Sequence, residues 1–234
     1  MTLIAGIDGC KKGWLRVEED RASGELRARV VDTMDPFRDA ARFSVLAIDI
    51  PIGLPATDRR PCDVEARALL RAPRASSVFP APIRPVLDAT TYPEALRIAR
   101  SACGRGMSKQ AFAIMSRIAT VDRHLQADGS LRQRVREVHP ELCFYFLADE
   151  RPMRYAKRTP EGAVERDELL RRAFGADAYR SLRAAVPRSG AADDDIRDAM
   201  VALWTARRIA AGEARTIPAR PTRDAFGLTM EMVV

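Results

Sequence analysis

Two carboxylates interrupt apolar runs in this chain. Asp8 ends the stretch Leu3 to Ile7 just before Gly9, and Asp49 does the same within SVLAIDIPIGLP, residues 44–55. A second pair, Asp195 and Asp198, lies in DDDIRDAMVALWTARRIAAG, where a spacing of three puts both on one side of a helix's opening turns. Ile196, Ala199, Met200 and Leu203 form the buried arc of that helix, with the two carboxylates on its shoulder. Plainer readings exist, since Asp-Gly is turn material and acids at a helix start cap amides and complement the macrodipole. Capping accounts for Asp193 or Asp194. It accounts poorly for Asp198, a second-turn residue beside the core arc. Were a fold to gather these acids, they would repel one another and raise their own pKa values unless a cation neutralised them. Hard oxygen donors without matching His or Cys suit Mg²⁺ or Mn²⁺ better than zinc.

Other polar groups could serve such a centre. In REVHPELCF, residues 136–144, Glu137 and His139 sit on and just after a short strand and are candidates to line a catalytic site, against a purely structural role; Pro140 makes continuation of the strand to Glu141 doubtful. Arg74, Ser76, Ser77, Arg84, Ser108, Lys109, Gln110, Lys157 and Arg166 supply donors suited to phosphate and sugar, although each alone reads as ordinary surface. Lys11 and Lys12, between Gly9 and Gly13, make a tight loop beside Asp8, open to phosphate approach or simply a hairpin turn.

The elements that must position these groups follow from pattern. Residues 2–8, 14–18 and 25–32 read as an antiparallel strand meander. Asp35 to Phe43 opens with Asp-Pro and predicts a helix leading into a fourth strand, 45–50. Seven prolines between Pro51 and Pro85 then break regularity, leaving one helix near 63–71. Periodic apolar positions predict helices over 92–103 and 108–126. A strand at 134–139 and helices at 164–174 and 194–211 complete the order. A single domain spanning 1–234 is expected, with a Pro-rich and helical insertion at roughly 56–130.

With 234 residues, 47% hydrophobic and 30% charged, the composition is that of a folded soluble chain, and no apolar run approaches a membrane span. A secretory signal pattern is not seen, so the cytoplasm is the expected location. Cys10, Cys62, Cys103 and Cys143 are too scattered for a zinc site and are expected to be free thiols. The net charge of +7 rests on 39 basic residues that are overwhelmingly Arg, which favours a polyanionic partner such as nucleic acid.

Taken in order, GIDGCKKGW, AIDIPIGLP, SSVFPAPIR, SKQAF, REVHPELCF, AKRTPEGAVER, DDIRDAMVALWTA and DAFGLTMEMVV resemble the predicted RNase H-like nuclease family known as domain of unknown function 429. The resemblance runs nearly end to end. It implies an α/β, RNase H-like fold: a five-stranded mixed sheet flanked by helices, with a helical insertion after the fourth strand. It further implies that the first and fourth strands are adjacent and parallel, with the last helix across their ends. On that analogy, Asp8, Asp49, Asp195 and Asp198 hold two Mg²⁺ or Mn²⁺ ions for phosphodiester hydrolysis: Asp8 is shared, Asp49 and Asp198 complete one ion each, and Asp195 supports the second. The DxxDA run Asp195 to Ala199 also resembles a motif of Holliday-junction resolvases. Two rival expectations are an actin-like ATPase-type phosphotransferase on the same core, and a protein that binds nucleic acid or a small anion without cleaving it.

Overall fold

The computed structural model describes residues 2–234. In chain order the strands are β1 (Leu3–Cys10), β2 (Gly13–Asp20), β3 (Leu26–Val31), β4 (Phe43–Ile48), β5 (Val135–Glu137), β6 (Thr216–Arg223) and β7 (Thr229–Val233). The helices are α1 (Pro61–Arg74), α2 (Tyr92–Cys103), α3 (Lys109–Ala113), α4 (Met115–Ala127), α5 (Gly129–Arg134), α6 (Pro140–Leu147), α7 (Pro160–Phe174), α8 (Ala178–Ala185) and α9 (Asp193–Ala211). They form two compact units. Of the described residues, the first comprises 2–50, 133–215 and 233–234, and the second 51–132 and 216–232.

The first unit is built on a five-stranded sheet ordered β3-β2-β1-β4-β5. Pairings β1–β2 and β2–β3 are antiparallel, whereas β1–β4 and β4–β5 are parallel. This is the mixed, helix-flanked sheet of the RNase H-like arrangement. One sheet face, carrying Ile4, Leu15, Val17, Val45, Ala47 and Val138, buries against α9, and α6, α7 and α8 pack around that helix. Small residues on α9, Ala199 and Ala202, let its backbone approach the sheet closely, and Gly212 in the left-handed region (φ 73°) ends it. On the opposite face Trp14 and Phe43 are fully buried; Trp14 Nε1 donates to Thr33 O at 3.1 Å, and the Arg16 guanidinium lies 4.7 Å from the Phe43 ring centre.

In the second unit α1 packs on β6, and Ile83, Val86, Ala89, Ala95, Ala99 and Met115 make a small core of their own. Asp224 organises the β6–β7 turn. It accepts the backbone N–H groups of Phe226 and Leu228, each at 2.9 Å, and that of Leu54 at 3.0 Å.

Several expected elements differ. The helix predicted over 35–43 is absent: the segment is turns plus a single 3-10 turn, Ala40–Arg42. Asp39 takes a left-handed conformation (φ 60°) that no helix continues through, and Phe37 is buried in the core instead of lying on a helical stripe. The helix predicted over 108–126 breaks at Ile114, whose φ of −103° and ψ of 3° lie outside helical values. Helix α7 starts at Pro160 instead of residue 164, because the Thr159 hydroxyl accepts from Gly162 N at 3.0 Å and Pro160 takes the first helical position. Residues 51–132 and the C-terminal hairpin belong to the same unit. All four cysteines are free thiols, as expected. Among the described residues, no helix is long and apolar enough to cross a membrane.

Candidate active site

Adjacent parallel strands β1 and β4 carry Asp8 and Asp49 at their C-terminal ends. The ladder reaches Ile7↔Ile48 and is extended by a hydrogen bond from Asp49 N to Ile7 O at 2.9 Å. Because side chains alternate along a strand, Asp8 shares the face of Ile4 and Cys10, and Asp49 that of Val45 and Ala47. Both therefore point toward α9. Gly6, two residues before Asp8, fixes how near that helix comes: a Cβ there would lie 2.2 Å from both Ala199 O and Leu203 N. Asp198 immediately precedes Ala199, so this contact brings the third carboxylate to the strand ends. Asp198 is 2% exposed and Asp8 7%.

Electrostatics record the crowding. Burial first, then the charges of Asp198 and Asp49, push the Asp8 carboxyl well above the usual range, with Lys157 opposing. Burial and Asp198 raise Asp49 to about 7, against Lys157 and a hydrogen bond shared with Asp8. That shared bond requires a proton between the two oxygens, and a cation would replace it. An oxygen-only donor set, deprotonated on loading, fits a hard divalent ion. Asp195 is also raised by burial, but its Oδ2 turns back to accept Ala192 N–H at 2.8 Å, across the start of α9. Its capping role, assigned from sequence to Asp193 or Asp194, is thus explicit. Asp193 is held instead by Arg183 and Arg188.

These shifts set a stability profile. The folded protein keeps a proton on Asp49 that the unfolded chain releases near pH 3.9, so the metal-free protein is most stable below about pH 4 with respect to this group. That contribution is lost as pH rises through about 7. Differential scanning fluorimetry from pH 4.5 to 8 should show the wild type losing several degrees more than Asp49→Asn. Parallel profiles would contradict the assignment.

A cation already stands at the cluster. Lys157 Nζ donates to Asp198 Oδ2 at 2.5 Å; burial, the largest influence, lowers the Lys157 pKa, but Asp198, Asp8 and Asp49 together outweigh it, so that Lys157 is held above its ordinary pKa. The loop that presents it is firmly built. Glu165 accepts the backbone N–H groups of Arg154 and Tyr155 at 2.9 and 3.2 Å. Arg166 donates to Tyr155 O at 3.2 Å and to Gly162 O at 3.1 Å, and is itself fixed by Glu141 at 2.6 Å. At Gly162 a Cβ would lie 2.0 Å from Ala156 O, so only glycine admits this approach. The run AKRTPEGAVER is thereby a bracket for one ammonium group. The sequence suggests Lys157 as a phosphate contact and does not reveal its carboxylate partner; the Thr159-Pro160 helix start is the local signal that could have placed it just outside a helix.

Not every expected residue joins the cluster. Glu137 pairs with Ile48, one residue short of Asp49, so alternation sets it on the sheet face opposite Asp8 and Asp49. His139 is the N-cap of α6, its backbone carbonyl accepting from Leu142 N and Cys143 N at 2.9 Å each. Arg166, expected to contact substrate, is 1% exposed and spent on the bracket. Lys11 and Lys12 form the exposed two-residue turn between β1 and β2. The remaining candidates belong to the second unit. There Arg84 donates to both oxygens of Asp122 at 3.0 and 2.9 Å, pairs with Asp224 and stacks 4.4 Å from the Phe226 ring centre, which makes it a structural hub. Ser108 caps α3 through Ala111 N at 3.0 Å, and Ser76 Oγ donates to Pro73 O at 2.7 Å. Ser77 follows Ser76 in the same 3-10 turn and Arg74 closes α1, while Lys109 and Gln110 are exposed on the first turn of α3.

Residues 6–223 match the family model described as protein of unknown function, DUF429. No curated protein and no solved structure matches the chain.

Proposed function

Since the chain belongs to the DUF429 family, whose description assigns no activity, we propose from the site itself that it is a divalent-metal-dependent nuclease acting on phosphodiester bonds of nucleic acid. One observation carries the reading: Asp8, Asp49 and Asp198 converge from two parallel strand ends and a helix, at an electrostatic cost reflected in the raised Asp8 and Asp49. Buried like charges are retained at such a cost where a site uses them. Asp8 and Asp49 would hold the cation, which when bound would position and acidify an attacking water and neutralise charge on a phosphoryl oxygen. Lys157 pairs with Asp198 and adds positive charge at the rim, where a phosphate would approach. The net charge of +7 suits a polyanionic substrate.

The test uses purified protein with Mn²⁺ or Mg²⁺ against single-stranded, duplex, hybrid and branched DNA and RNA. Metal-dependent cleavage of at least one substrate, abolished by EDTA, is expected. An intact panel at stoichiometric enzyme with either ion would overturn the proposal.

A further inference from the structure

We infer that this centre takes a single divalent cation, between Asp8 and Asp49, and that the Lys157 ammonium serves as its fixed second positive charge. The inference rests on the metal-dependent reading above. A two-ion site would give Asp198 and Asp195 to the second ion, with Asp8 shared. Both are already engaged. Asp198 Oδ2 receives Lys157 Nζ at 2.5 Å, and Asp195 Oδ2 receives the Ala192 amide at 2.8 Å. Asp8 and Asp49, by contrast, have each other as side-chain partners. Charge balance agrees: one divalent ion and one ammonium match the carboxylates of Asp8, Asp49 and Asp198, whereas a second ion would leave the pocket net positive even with Asp195 counted.

The identity of the cation supports the point. Lys11, Lys12, Lys109 and Lys157 are the only lysines among 39 basic residues, so arginine is this chain's habitual choice. A compact ammonium approximates a small ion against one carboxylate oxygen, while a planar guanidinium fork would span two. Around Lys157 the Glu141–Arg166 pair, Glu165 and Gly162 hold the loop backbone in place, which an incidental surface ion pair would not require. The lysine stem remains 43% exposed, so only its tip is committed to the acids.

Mn²⁺ titration followed by electron paramagnetic resonance, with calorimetry in parallel, tests this without any substrate. Wild type should bind one Mn²⁺ and give the spectrum of an isolated ion. Lys157→Ala should accept a second Mn²⁺ at least ~10-fold more tightly than wild type does, with spin–spin broadening. Lys157→Arg, which keeps the charge, should stay at one. Two coupled ions in the wild type would overturn the inference, and that measurement stands even if Lys157→Ala does not fold. One ion in both wild type and Lys157→Ala, with no gain in second-ion affinity, would also overturn it while leaving the metal-dependent reading intact. Failure of both proteins to bind any ion would remove that reading and this inference with it.

Discussion

Asp8→Asn is expected to abolish tight Mn²⁺ binding and to slow metal-dependent cleavage by on the order of 10³-fold, about 4 kcal/mol of transition-state stabilisation. The same substitution should raise the melting temperature of the metal-free protein. Asp8 is buried beside two other carboxylates, and an amide removes one of the like charges while its N–H₂ donates to Asp49 or Asp198 in place of the shared proton. Relief of about 1–2 kcal/mol corresponds to about 3–6 °C for a chain of this size. The opposite signs are the diagnostic feature, because a carboxylate kept only for packing or hydrogen bonding would lose stability on replacement. A lowered melting temperature with cleavage undiminished would show that Asp8 is structural.

Gly6→Ala adds a methyl that should be strongly disruptive to the first unit. It meets backbone atoms of α9 at 2.2 Å, and backbone, unlike a flexible side-chain tip, cannot step aside without moving the helix. A loss of at least ~3 kcal/mol, or about 6–12 °C, is expected, because overpacking against a rigid neighbour sits at the costly end of such changes. Displacing α9 also carries Asp198 away from Asp8, so residual folded protein should bind Mn²⁺ more weakly. Gly129→Ala is the control, since a Cβ there meets nothing within 4 Å. Melting within about 2 °C of wild type by circular dichroism would refute the close-approach account.

What the sequence revealed of this fold was local. The β1–β2–β3 meander, α2 and the start of α9 follow from alternation, helical periodicity and Pro or Gly punctuation, and they lie where those signals put them. Asp8, Asp49 and Asp198 were legible because a charge inside an apolar run contradicts its own neighbourhood. The partners of charged groups were not. Arg166 and Arg84 look like any other arginine in so basic a chain, yet each is immobilised by acids distant in sequence, Glu141 for one and Asp122 and Asp224 for the other. Helix α6 was hidden because PELCFYFL is apolar almost throughout and has no period to read. Hairpin β6–β7 was hidden by Pro218 and Pro221, residues that argue against a strand unless it lies at an edge.

The order of the sheet has one more consequence. It ends on one side in β5, three residues long, and on the other in β3, where Arg27 and Arg29 alternate with small and apolar residues and pair with Glu25 and Glu18. Short or charge-studded borders are poor templates for adding another strand. Self-association by edge pairing is therefore disfavoured, and this sheet would have to recognise a partner through side chains instead of a borrowed backbone ladder.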